Sequence, residues 1–410
     1  MALNIVWFAF FAIALVVAAL KYAIGGDPLI FKVLGDGIVD SAKTSITEVA
    51  LPLAGAIIFF VGLLNIADKA GLVKGLSKIL GPFFRRLFPE VPKDHPATGF
   101  MVMNFAANML GLDNAATPFA LKAMDSLQGL NPDKDRASNA QIMFLVLHTS
   151  GLTLIPLTAI AYRTTMHSVE PAAIFIPCLV ATAASTILSV LVMTVWQRIR
   201  IDWVLLGGIL ALAGFVLGLL YWVGHMPEAQ RNLFSQVAGN LLLLLLVVGF
   251  LLVGLIKKVP IFETFIEGAK GGWDVVVRIM PYLVGMLVGV RVFRDSGALD
   301  YVTDGIRWVV AAVGLNTDFV PAMPVALMRP FNGAASRAIM LNVMQTYKVD
   351  SFPGKLSSIM QNSAETTFYI IAVYFGSVGI RKTRYAVWAG LVADMLGVLC
   401  AIGIAYIFFH

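Results

Sequence analysis

"GFMVMNFAANMLGLDNAATPFALKAM" at residues 99–124 and "FVPAMPVALMRPFNGAASRAIML" at residues 319–341 are each a pair of apolar half-segments, interrupted by Gly, Pro and Asn. Neither half is long enough for a bilayer core about 30 Å thick, which asks for roughly 20 apolar residues. Each reads as the centre of a re-entrant helical hairpin, over residues 97–128 and 319–347. Two other segments, "NAQIMFLVLHTSGLTLIPLTAIAY" at 139–162 and "KLSSIMQNSAETTFYIIAVYFG" at 355–376, are long enough to cross but carry a polar cluster at mid-length. They read as broken spanning helices. Such interruptions persist in a membrane only where protein, water or a ligand satisfies the freed backbone groups.

The rest of the chain sets these four segments in a bilayer. Of 410 residues, 59% are hydrophobic and 13% charged, with a mean hydropathy of +0.84. That describes a multi-pass membrane protein. Seven plain spans are predicted, at about 2–24, 48–66, 171–196, 202–223, 232–256, 273–293 and 384–409. With the two broken helices, the reading is an all-α polytopic protein of about nine crossings plus two hairpins. No Lys or Arg precedes the first span, so it reads as a retained helix rather than a signal peptide. Residues 70–88 mix an apolar face with Lys74, Lys78, Arg85 and Arg86 and read as an interfacial amphipathic helix. The net charge of +6 rests on only 30 basic residues, too dispersed for a nucleic-acid backbone. Cys178 and Cys400 lie in apolar runs, where thiols behave as small buried hydrophobes rather than disulfide partners.

The chain also repeats itself. "SAK" at 41–43 aligns with "GAK" at 268–270, and the same offset of 227 places Asp68 of "ADKAGL" on Asp295 of "RDSGAL". "NAAT" at 114–117 matches "NGAAS" at 332–336, and "SGLT" at 150–153 matches "SAET" at 363–366. The expected division is a first helix and linker over 1–39, a first unit over 40–196, connecting helices over 197–267 and a second unit over 268–410. Each unit contributes three crossings. With two inserted helices between them, the second unit is inverted relative to the first. Charge counting agrees: sixteen Lys and Arg fall in loops on the side of the N-terminus, and nine on the other. The positive-inside rule then places the N-terminus in the cytoplasm and the C-terminus outside a bacterial inner membrane.

The polar residues that remain at depth gather at the interruptions. Asn108, Asp113, Asn114 and Thr117 belong to the first hairpin, where Asp113 and Asn114 also suit helix capping. His148, Ser150 and Thr153 occupy the first break, with hydroxyls that can equally return to the preceding turn. Arg329, Asn332, Ser336 and Arg337 surround the second hairpin tip, and Gln361, Asn362, Ser363, Glu365 and Thr366 fill the second break. A carboxylate at that depth is costly unless paired or hydrated, and so are the two arginines. Either Arg329 and Arg337 neutralise Glu365, or they hold an anionic group on a cargo. Asp394 lies in the last span and suits an internal pair with an Arg. Arg291 is near a helix end and can snorkel. Glycine pairs Gly214–Gly218 and Gly285–Gly289 offer faces for close helix contact, including a homo-oligomer.

The blocks "NMLGLDNAATPFALKAM" and "HTSGLTLIP" resemble spore maturation protein A, and "RPFNGAASRA" and "QNSAETTFYI" resemble spore maturation protein B. The chain looks like a fusion of the two, and the resemblance covers nearly its whole length. These belong to the nucleoside-recognition, or Gate, group, which is similar to concentrative nucleoside transporters and to the pore-lining part of the ferrous-iron transporter. The resemblance implies two hairpins and two broken helices meeting at the midplane. No P-loop pattern occurs, so nothing matches the iron transporter's GTPase part. No GxSxG, HExxH or clustered metal-ligand spacing occurs either, and neither an enzyme nor a bound cofactor is expected. The leading expectation is a transporter or permease for a small polar solute, anionic or nucleoside-like, with a coupling proton or Na+. A non-transporting scaffold for envelope or spore maturation is the alternative, and a metal-ion permease a weaker one.

Overall fold

The computed structural model describes residues 2–92, 95–109 and 113–410; the side chains of some further residues, Asp113, Asn114, Thr117 and Arg278 among them, lie outside that description. The described residues are helical with no strand, beyond an isolated bridge between Arg136 and Lys382. In chain order, α1 (Ala2–Gly25) precedes α2 (Ile30–Thr44), which runs through a π-helical turn at Ser45–Ala50 into α3 (Leu51–Lys69). α4 (Leu72–Leu87) is the amphipathic helix, and α5 (Pro96–Met109) packs on α6 (Asp113–Leu130) as the first hairpin. α7 (Asn139–Thr149) and α8 (Leu157–Thr165) are the halves of the first broken helix, followed by α9 (Phe175–Trp196). α10 (Trp203–Gly224) and α11 (Glu228–Ile256) lead to α12 (Ile261–Asp295) and α13 (Ala298–Ala312). α14 (Met323–Met328) and α15 (Gly333–Tyr347) form the second hairpin, α16 (Phe352–Asn362) and α17 (Thr367–Ser377) the second broken helix, and α18 (Ala386–Phe409) follows.

Among the described residues, Trp7–Gly25, Pro171–Trp196, Trp203–Val223 and Ala386–Phe409 are helices long and apolar enough to cross a membrane. In α11 the described apolar stretch is Asn240–Ile256. The segments read as spans at 48–66 and 273–293 lie inside longer rods. Residues 30–69 form one helical rod, where the sequence alone reads a linker up to 39, and α12 runs 35 residues.

These two rods pack antiparallel. A Cβ on Gly62 would collide with the Phe265 ring, one on Gly268 would meet the Val61 carbonyl at 2.9 Å, and one on Gly272 the Ile58 backbone at 2.9 Å. At the other end Gly37 faces Arg291 and Asp295. Lipid is as apolar as leucine, so helices associate here through close backbone approach, which small residues permit. On another face of α12, Trp7 Nε1 donates to the Gly285 carbonyl at 2.9 Å, and Phe10 and Phe11 fill the hollow at Gly289. The Gly285–Gly289 pair is thus occupied by this chain's own first helix. Gly214 and Gly218 have nothing within 4 Å.

Gly71 and Gly297 take the left-handed conformation, at φ +81° and +88°, immediately before α4 and α13. That turn suits glycine, which lacks the Cβ that would clash. α13 is a second amphipathic helix, unread from sequence. Its Tyr301 and Trp308 are 66% and 74% exposed.

The broken helices lie side by side and run in opposite directions. Near the start of α7, the Ala137 N–H donates to the Lys382 carbonyl at 3.0 Å, and the N–H groups of Arg381 and Lys382 donate to the Asp135 carbonyl at 3.0 and 2.9 Å. At the far end of α8, Arg163 donates to the Val349 carbonyl at 2.9 Å and to Asp350 at 2.6 Å, just before α16 begins. Midway, the Glu365 N–H donates to the Thr149 carbonyl at 2.9 Å, so the two breaks are bonded to each other. Local sequence explains the ends. Ser138 and Gln141 form a reciprocal capping box opening α7, and Ser351 caps α16. Gly151, at φ +59°, turns the chain out of α7, and Pro156 immediately precedes α8.

Candidate functional site

Where the two breaks meet, a cavity of about 70 Å3 is lined by both halves of the chain. Asn108, His148, Gly151, Thr153 and Tyr162 come from the first, and Arg329, Arg337, Gln361, Asn362 and Glu365 from the second.

Arg329 is fixed from two directions. Its Nε donates to the Ala364 carbonyl at 2.7 Å, and its Nη2 lies 3.2 Å from Glu365 Oε2. The Arg329 side chain is 7% exposed and that of Glu365 41%, so the pair is buried at one end and open at the other. Arg337 also lines the cavity, and among the described residues it makes no ion pair or hydrogen bond. The alternatives left open by the sequence therefore divide between the two arginines: Arg329 neutralises Glu365, and Arg337 is left facing the cavity.

On the first half, Asn108 Nδ2 lies 2.7 Å from His148 Nδ1, and Asn104 Oδ1 lies 3.3 Å from the same nitrogen. That nitrogen accepts from Asn108 in the Nε2–H tautomer and donates to Asn104 in the Nδ1–H tautomer, so the two asparagines hold the ring in either form. Asn104 is held in turn by donating to the Ala116 carbonyl at 2.9 Å, which ties the two limbs of the hairpin to each other.

Other residues singled out from sequence support the walls rather than line them. Asn332 caps α15 by accepting from the Ala335 N–H at 2.8 Å. Ser336 Oγ lies 3.0 Å from the Val325 carbonyl and 2.7 Å from Gln361 Oε1, orienting Gln361. Ser150 and Ser363 return to the carbonyls of Leu147 and Met360, each at 3.0 Å. Thr366 is buried at the start of α17 without a side-chain capping bond. The side chains of Asp113, Asn114 and Thr117 are outside the described residues.

Two ionic readings are corrected. Among the described residues Asp394 makes no ion pair with an arginine: its Oδ2 accepts from Thr367 Oγ1 at 2.7 Å, while Arg329 is engaged by Glu365 and the Ala364 carbonyl. Arg291 does not snorkel free but bonds Asp295 one turn on at 2.5 Å. Tyr162, Thr158 and Ala159 line the cavity without having been singled out. With Ile155 they fall at helical spacing just past the break, which is the signal that could have found them.

Outside the membrane-spanning segments, Arg163 is fully buried and clasps Asp350. Burial pushes the Asp350 carboxyl up, but the Ser168 hydroxyl, the Val169 N–H and the Arg163 charge outweigh it and hold it below the ordinary carboxylate range.

A family model described as nucleoside recognition, or Gate, matches residues 50–165 and 276–381, more than half of the chain. Both matched stretches contain a hairpin and a broken helix. Spore maturation protein B of Bacillus subtilis (strain 168) is 45% identical over 165 residues, 40% of this chain and 91% of that protein. Spore maturation protein A of the same organism is 37% identical over 189 residues, 46% of this chain and 92% of that protein. No solved structure matches the chain. It is a multi-pass membrane protein, and it belongs to the nucleoside-recognition (Gate) family, in the group where sequences like spore maturation proteins A and B are joined in one polypeptide.

Proposed function

We propose that the chain is an inner-membrane transporter or permease for a small polar, anionic solute, held between two inverted units. One observation carries this: Arg337 faces a cavity at the crossing of the two breaks, with no carboxylate paired to it among the described residues. A guanidinium at that depth is costly unless an anion or water meets it.

The inverted arrangement is supported by the packing of the long rods. Gly62 lies on Phe265, and Gly37 lies on Arg291. Shifting Gly62 and Phe265 by the repeat offset of 227 gives the neighbourhood of Gly289 and Ile38, which is close to the second contact. Contacts that exchange under the repeat are the mark of an internal two-fold axis. The clasps support the proposed loop grouping too, since Lys134, Arg136, Arg381, Lys382 and Arg384 come together, away from Arg163 and Lys348. That grouping favours a cytoplasmic N-terminus.

A cavity of about 70 Å3 accommodates a few waters or a small ion. Sites for drug-sized molecules run from roughly 300 to 1,000 Å3, so a nucleoside-like solute requires the halves to separate. The relatives' names support a part in spore maturation, and a scaffold is the second reading. It predicts sealed breaks with every acid enclosed, against which stands the 41% exposure of the Glu365 side chain. A metal-ion permease has less support, because two guanidinium groups line the cavity. The test is ligand-dependent thermal shift of purified protein over a broad panel of small anions and nucleosides, followed by uptake into proteoliposomes. Uptake of one solute class, weakened by Asn362→Ala and Glu365→Gln, is expected. No binding and no uptake across the panel, with both variants behaving as wild type, overturns the reading.

A further inference from the structure

We propose that Asp394, Thr367, Ser185 and Ser189 form a binding site for a small monovalent cation, Na+, behind the second break and away from the solute cavity. Asp394 is 4% exposed, and Ser185 and Ser189 are 0% and 2% exposed. Thr367 occupies Asp394 Oδ2, but Oδ1 and both serine hydroxyls have no hydrogen-bond partner among the described residues. The serines are unusual in this chain. Thr194, Ser357, Ser358 and Ser363 all return their hydroxyls to carbonyls of the preceding turn, whereas Ser185 and Ser189 do not.

The unpartnered atoms belong to two helices packed against each other. α9 and α18 pack antiparallel, with Trp196 stacked on Tyr385 at 5.2 Å and Ser185 Oγ 3.3 Å from where a Gly397 Cβ would stand. That register sets Ser189, one turn from Ser185, beside Asp394, one turn from Gly397. The Ser363 carbonyl, at the C-terminal end of α16, lies against the same glycine. The set is one carboxylate, three hydroxyls and the negative end of a half-helix, which is hard-oxygen chemistry for a cation. A single carboxylate balances a single positive charge. Oxygens too far apart to bond one another, yet grouped on one interface, suit a shared cation better than a proton on Oδ1, which would reach neither serine.

The first unit gives a contrast. There Thr182 of α9 receives the Thr153 N–H at 3.2 Å and donates to carbonyls, so the corresponding place behind the first break is closed by its own bonds. Because residues 363–367 contribute to both the cation site and the cavity wall, an ion here fixes the shape of the break. That link to the solute rests on the transport reading; the site itself does not.

The test is thermal unfolding of the purified chain in detergent, with NaCl replaced by KCl or choline chloride at constant ionic strength. A saturable rise of the midpoint with Na+ alone is expected. Asp394→Asn, whose amide oxygen still accepts from Thr367, abolishes that rise, and Ser189→Ala shifts it to at least several-fold higher Na+. Equal rises in all three salts, a rise retained in Asp394→Asn, or no rise at all overturns the proposal, the last leaving a structural water or a proton in its place. Na+ binding without solute uptake sinks the transport reading alone. Solute uptake without Na+ binding sinks this one alone.

Discussion

Replacing Asp350 with Asn removes the charge from one end of the clasp between α8 and the loop before α16, and leaves Arg163 fully buried without its carboxylate. Breaking a wholly buried ion pair from one side costs about 3–5 kcal/mol. Asp350 keeps 32% of its side chain exposed, and Arg163 still donates to the Val349 carbonyl at 2.9 Å and to Ser168 at 3.0 Å. The expected loss is therefore smaller, about 2 kcal/mol. Arg163→Met should cost less, about 1 kcal/mol, because the abandoned carboxylate retains Ser168, the Val169 N–H and water. The pH dependence gives the second arm. A carboxylate whose folded value is depressed contributes stability that is complete above its unfolded value of about 3.9 and is lost as pH falls through the folded value. Thermal midpoints of wild type and both variants, measured from pH 7 down to pH 3, check this. Wild type should lose the increment in the acid range and converge toward Asp350→Asn. An Arg163→Met variant less stable than Asp350→Asn at pH 7, or identical acid profiles for wild type and Asp350→Asn, would refute the reasoning.

Arg337→Gln should weaken binding of an anionic solute at least tenfold, about 1.4 kcal/mol or more, without lowering the thermal midpoint, since no partner among the described residues is abandoned. A solute titration followed by thermal shift reads both quantities. Gly272→Leu should destabilise by about 1–3 kcal/mol, because its side chain would be forced into the Ile58 backbone and split the paired rods; an unchanged melting profile would contradict the packing. Cysteines placed at Lys382 and at Val169, which is 85% exposed, should react with an impermeant maleimide from opposite sides of the membrane. Labelling of both from one side would contradict the crossing of the broken helices.

The hairpins and the breaks are legible in sequence because the physics that makes them is local: an apolar run interrupted by Asn, Gly and Pro cannot remain a plain span. Eight of the residues chosen on that ground, including His148, Arg337 and Asn362, line the cavity. α13 escaped because an interfacial helix carries little net hydropathy, so a search for apolar length passes over "ALDYVTDGIRWVVAA". Tyr162 lies in an ordinary helical stretch beyond the break, and its place on the wall depends on how the two halves approach. Asp394 shows the same limit: its charge marks it as costly, yet whether a buried acid meets an arginine or a threonine is decided by tertiary packing. The Gly285–Gly289 motif is visible as a docking face, but its occupants, Trp7, Phe10 and Phe11, are some 280 residues away along the chain.

On the transport reading, the small cavity follows from both clasps being closed in one structure. The clasp near α7 uses backbone bonds from Ala137, Arg381 and Lys382, while the clasp at the end of α8 rests on a single buried guanidinium. The two lie at opposite ends of a pair of antiparallel broken helices bonded at their middle, so one end can part while the other holds. A solute shifts that equilibrium only by as much as it binds the open form better than the closed one. If one opening costs the few kilocalories assigned to the Arg163 clasp, one or two charge-assisted hydrogen bonds, of about 1.5–3 kcal/mol each, suffice to offset it. Arg337 is placed to make one of them. Weakening the clasp with Asp350→Asn should therefore raise solute affinity, while Arg337→Gln lowers it, and the double variant should fall between the two.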